Sequence, residues 1–145
     1  IRDGRVSFLA HACVPRWKQI PIPGNISTFN ELEKFIGDAG ASLEQPFPIR
    51  IEAKTNGLRW FVVGGEGNGV PNPRESFLRS RFLGGLDECE FEGFGIYSQH
   101  HKGIATNPTS CLHFHFKTRS EKPFVAHLDD DVVLLPGSTL YLPSQ

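Results

Sequence analysis

The sequence predicts an α+β domain that is predominantly β: a single mixed or antiparallel sheet, or half-barrel, with one short helix. Three observations predict it. From residue 49 onward, short runs alternate apolar and polar residues, the period-two mark of half-buried strands. Apolar residues recur at helical spacing convincingly in one window, about 28–37. The length of 145 residues, with 39% hydrophobic and 21% charged, fits one domain spanning 1–145.

Residues 1–24, broken by Pro15, Pro21 and Pro23, read as an extended N-terminal arm with one short strand. Thr28-Phe29-Asn30-Glu31 has the capping-box pattern, in which a hydroxyl and a carboxylate each satisfy an orphan backbone N–H. Phe29, Leu32, Phe35 and Ile36 then form one helical face, and Gly37 supplies a stop. Ile49–Ala53 and Leu58–Val63 read as the two arms of a hairpin turning at Asn56-Gly57. The stretch from Gly64 to Pro73 is a loop, and 76–83 suits either a helical turn or an edge strand. Cys89–Tyr97 is a strand in which Gly93 and Gly95 permit a bulge or a close backbone approach. Strands are expected at 111–118, 124–128, 131–135 and 138–142.

Charge and composition narrow the function. Fifteen Lys and Arg balance sixteen Asp and Glu without a basic run, which argues against a nucleic-acid partner. No apolar run approaches the roughly 18 residues of a membrane span, so no membrane partner is expected. The sequence opens on Ile1 rather than Met, which fits an exported protein with its leader removed, or otherwise a cytoplasmic one. Cys13, Cys89 and Cys111 lack C-x-x-C spacing and read as either free thiols or one disulfide and one thiol.

Cys111-Leu112-His113-Phe114-His115-Phe116 is the most informative run. On a strand His113 and His115 share one face while Leu112, Phe114 and Phe116 share the other. Antiparallel pairing of 111–118 with 124–128 would bring His127 beside them. Three nitrogen donors with an open fourth position describe a catalytic zinc site. The competing reading is a half-exposed strand face with incidental histidines. Asp129, on the face of His127, could orient an imidazole by accepting its second N–H. His100 and His101 point in opposite directions, so at most one of them can reach the site as a substrate contact or extra ligand. His11 has no partner in sequence.

Two families place H-x-H on a strand. The cupin pattern fits poorly, because Asn107 stands at its glycine position and Glu121 lies outside its glutamate window. Four segments in order resemble the acetolactate decarboxylase family: Gly93-Phe94-Gly95-Ile96-Tyr97-Ser98, His101-Lys102-Gly103-Ile104, Leu112-His113-Phe114-His115-Phe116 and Ala126-His127-Leu128-Asp129. Pro46–Ile51 and Pro136–Pro143 are similar more loosely. That resemblance implies Zn2+ held by His113, His115 and His127, and decarboxylation of a small 2-hydroxy-3-oxo acid such as acetolactate. Nickel, iron and manganese also suit imidazole ligands. Ala126 replaces the family's glycine before the third histidine. Members also use an arginine and two glutamates, one from a C-terminal tail that has no counterpart up to Gln145. Arg59 is the best-placed arginine, with Arg50 second, and Glu52 and Glu66 are candidates for the other carboxylate. A small carboxylic acid is the expected ligand, and the edges of a small sheet suggest a homodimer. The alternatives are a non-catalytic metal- or small-ligand-binding domain on the same scaffold, or an interaction module without metal.

Overall fold

The computed structural model describes residues 12–64 and 73–144; His11, Glu66, the first eleven residues of the arm and most of the 64–73 loop lie outside the described residues. The elements in chain order are β1 (Trp17–Pro21), α1 (Phe29–Ala39), β2 (Phe47–Val63), α2 (Pro73–Arg79), β3 (Arg81–Leu86), β4 (Cys89–Tyr97), β5 (Leu112–Thr118), β6 (Val125–Leu134) and β7 (Thr139–Pro143). The strands form one antiparallel sheet ordered β1-β7-β2-β4-β5-β6, with β3 on β2 and β6 also returning to β2. The sheet curls without becoming a closed barrel, as the predicted β-dominated class requires.

The expected helix forms with its capping box: Glu31 N–H donates to Thr28 Oγ1 at 3.2 Å, and Thr28 N–H donates to Glu31 Oε2 at 3.1 Å. It runs past Gly37 to Ala39 and ends at Gly40. Gly37 is not a stop but a contact, because a Cβ there would overlap the Tyr97 hydroxyl. Leu32 and Ile36 are fully buried in a core shared with Ile49, Ile51, Leu112, Phe116, Val132 and Leu140.

The largest departure is at Asn56-Gly57, where no hairpin forms. β2 continues for 17 residues, pairing with β4 through its first half and with β3 and β6 through its second. The register shifts between Thr55 and Leu58, and Gly57 takes φ +145°, a conformation side chains disfavour. The buried Thr55 hydroxyl fixes this bend, lying 2.7 Å from the Gly57 carbonyl and 2.8 Å from that of Val133. Buried positions are therefore odd-numbered from Phe47 to Thr55, while Leu58, Trp60 and Val62 face the core beyond the bend. Arg59, Phe61 and Val63 are turned to the opposite face.

Segment 76–83 resolves into both alternatives, the end of α2 and the start of edge strand β3. The strands expected at 124–128 and 131–135 are one strand, β6, irregular where it meets β2. Gly93 serves a close approach, since a Cβ there would run into the Phe114 ring. Cys13, Cys89 and Cys111 are all free thiols. No helix among the described residues is long and apolar enough to cross a membrane.

Candidate metal centre

The second face of the sheet carries the histidines. In β5 the alternation buries Leu112, Phe114 and Phe116 and directs His113, His115 and Lys117 outward. His115 pairs directly with His127 of β6, and His127 pairs with Phe61 in the far half of β2. The three imidazoles converge: His115 Nε2 lies 2.9 Å from His113 Nε2, and one donor atom from each ring falls within 4.8 Å of the others. The rings of His115 and His127 have centroids 4.0 Å apart.

This donor set fits a zinc-class cation. Tetrahedral Zn–N bonds of about 2.0–2.1 Å place ligand nitrogens about 3.3 Å apart, within the observed spread. Two of the rings are also in the required charge state. Burial, reinforced by the neighbouring imidazoles, lowers the pKa of His127 to about 4, and partial desolvation of the more exposed His115 ring, with His113 beside it, lowers that of His115. At neutral pH both are neutral nitrogen donors. An interaction with the Phe61 backbone opposes the shift of His127 and steadies its ring.

Around the triad lies a constellation that sequence reasoning missed. Phe61 stacks on His127, centroids 4.6 Å apart and planes within 6°. The Arg81 guanidinium lies over Phe61 at 5.2 Å and over Phe77 at 5.7 Å, and its Nη1 is 3.7 Å from Asp129 Oδ1. Its Nε is buried without a hydrogen-bond partner. Asp129 thus faces Arg81, the arginine of this constellation. No local signal marks Arg81, because it reaches the site only through the pairing of Val63 with Arg81 across β2 and β3.

The other expected residues are placed differently. Arg59 pairs with Asp131 at 3.1 Å, with 71% of its side chain exposed. Glu52 belongs to a separate network: Tyr141 Oη donates to it at 2.8 Å, Arg119 at 2.6 Å, and Arg50 also bonds it. These partners hold its carboxyl below the usual range, the tyrosine bond contributing most. Arg50 is committed there too, reaching Glu92 at 2.7 Å and stacking over Tyr141. His101 Nδ1 lies 2.8 Å from Ser98 Oγ, and His100 is exposed in the same loop. Neither these two nor Asp129 belongs to the group whose ligand atoms converge. Trp60 lies on the core side, edge-on to Phe124, and Phe61 is the aromatic ring stacked on the triad.

No protein-family model matches the chain, and no curated protein does. Solved structures share its fold. Acetolactate decarboxylase from Bacillus subtilis superposes with a TM-score of 0.67 at 19% identity, over 88% of this chain and 52% of that one. A metal-containing protein from Archaeoglobus fulgidus matches with a TM-score of 0.59 at 13% identity, over 94% and 84%. A candidate DNA-binding protein from Bacteroides thetaiotaomicron matches with a TM-score of 0.59 at 12% identity, over 93% and 82%. The chain thus spans about half of the decarboxylase and most of the other two. The fold they share is the one that brings His113, His115 and His127 together here.

Proposed function

We propose that this protein is a metal-dependent lyase that decarboxylates a small 2-hydroxy-3-oxo acid such as acetolactate, with a zinc-class cation held by His113, His115 and His127. The observation that carries the reading is the convergence of three imidazoles on an accessible sheet face. The fold likeness to acetolactate decarboxylase supports it. When bound, a divalent cation supplies Lewis-acid polarisation of a carbonyl and holds negative charge as it develops. The chain's own contribution is recognition and exclusion of water. Arg81, lying over Phe61 with its charge balanced by Asp129, supplies a guanidinium whose outer N–H groups would pair with a carboxylate. Phe61 and Phe77 shield that guanidinium from solvent and strengthen the pairing. When the C–C bond to the carboxylate breaks, its electron pair would stay with the remaining ketol fragment and be protonated by water, while CO2, no longer charged, would leave Arg81.

A second reading, a non-catalytic binding domain for a small metal-chelating acid, is favoured by one observation. Among the described residues no carboxylate shares the group of converging ligand atoms, and Glu52 is tied up elsewhere. Incubating zinc-loaded protein with acetolactate and measuring acetoin separates the two. Lyase function predicts acetoin above the buffer rate, lost in Arg81→Ala. Acetoin at the buffer rate alongside saturable acetolactate binding would establish the second reading instead.

A further inference from the structure

The registers place the triad in a row that crosses the outer face: Phe94 of β4 pairs with His115 of β5, His115 with His127 of β6, His127 with Phe61 of β2, and Phe61 with Leu83 of β3. Directly paired residues put their side chains on the same face about 5 Å apart. The two central histidines are therefore bracketed by apolar groups on both sides. Ile96, beside His113, and Val125, one position along from His127, extend the apolar border. Phe61 is buried against Phe77 and Arg81, but Phe94 is 51% exposed, Leu83 62% and Val125 56%, whereas most apolar side chains of the sheet face α1 and the core and are buried. A site evolved only for polar, two- or three-carbon acids gains nothing from an exposed apolar border.

We propose that the ligand of this site carries an apolar substituent larger than methyl, an extended alkyl or aryl group. Its chelating oxygens address the triad, and the substituent lies along the Phe94 or the Leu83 side. This rests on the metal reading above and deepens it by naming the substrate class: 2-hydroxy-3-oxo acids with a hydrophobic tail. The strip is one side chain wide on each side of the histidines, which suits a single flat ring or short chain. Arg81, at the end of the row beside Leu83, gives the same strip a cationic terminus for a carboxylate.

The test compares two hydroxamic acids of equal chelating power, acetohydroxamate and benzohydroxamate, titrated calorimetrically into protein whose zinc content has first been measured. The phenyl ring should tighten binding about tenfold or more, because even one-sided burial of several carbons is worth that much. Phe94→Ser and Leu83→Ser replace exposed side chains, and at least one of them should bring the ratio of the two affinities back towards one. Equal affinity for both probes on zinc-loaded protein would overturn the proposal while leaving the metal reading intact. Protein that takes up no zinc and binds neither probe would overturn the metal reading itself, and this proposal with it. If a second copy covers the face, light scattering will show a dimer that Phe94→Ser dissociates and the wild type will bind neither probe; that result also overturns the proposal.

Discussion

Replacing His115 with alanine removes the central ring of the triad, the one that meets both His113 and His127. His115 is exposed on the sheet face, so its loss from the metal-free protein should change stability by less than about 1 kcal/mol. With zinc the difference is large. A metal that binds only the native state, present at a thousand times its Kd, stabilises by about 4 kcal/mol. For a domain near this size that raises Tm by about 8–16 °C. Even second-layer changes weaken metal binding by about 10–100-fold, and a lost ligand must cost at least the upper figure. At a hundredfold weaker Kd the same zinc contributes only about 1.4 kcal/mol, or about 3–6 °C. Differential scanning fluorimetry with and without zinc, using EDTA-treated protein free of a His-tag, reads the comparison directly. A His115→Ala protein that keeps the full zinc-induced rise would refute the three-histidine site.

Other consequences are equally concrete. The metal-free protein should lose stability as pH falls from about 6.5 towards 4, because the unfolded chain then protonates His127 while the native ring, with a pKa of about 4, does not. Fully expressed, that shift is worth about 3 kcal/mol; the ring is partly exposed and solvent screens it, so about half is expected from urea denaturation at pH 7 and pH 4.5, and His127→Gln should flatten this part of the pH dependence. Arg59→Ala should leave both metal content and stability within about 0.5 kcal/mol of wild type, as expected for an exposed ion pair. Arg81→Lys keeps the charge but loses the planar, forked donor set of the guanidinium, so it should weaken acetolactate binding about tenfold or more in calorimetry without lowering zinc content. Gly93→Ala forces a methyl group into the Phe114 ring and should destabilise by about 1–3 kcal/mol, measured by urea denaturation.

What the sequence revealed depends on how local each determinant is. The capping box of α1 is written in four consecutive residues and forms as expected. The H-x-H strand follows from alternation alone, and His127 needed one further assumption, the antiparallel return of β6, which the His115–His127 register supplies. Asn56-Gly57 misled because its turn chemistry is real but is used differently. The glycine accommodates a bend within β2, held by Thr55 through the Val133 carbonyl, a contact 78 residues away. The same bend reverses which residues of β2 face outward, so Arg59 could not be judged from spacing. Arg81 was illegible for a related reason: it comes to lie over Phe61, the ring stacked on His127, only after β3 pairs with β2. Glu52 carries the right chemistry, but long-range pairing commits it to Arg50, Arg119 and Tyr141.

His113, His115 and His127 together would hold one metal ion. Elemental analysis of untagged protein, supplemented with zinc and then gel-filtered, tests this most directly. About one ion per chain is expected in the wild type and almost none in His115→Ala or His127→Gln. Less than about 0.2 ions per chain in the wild type, or undiminished metal in either variant, would contradict it.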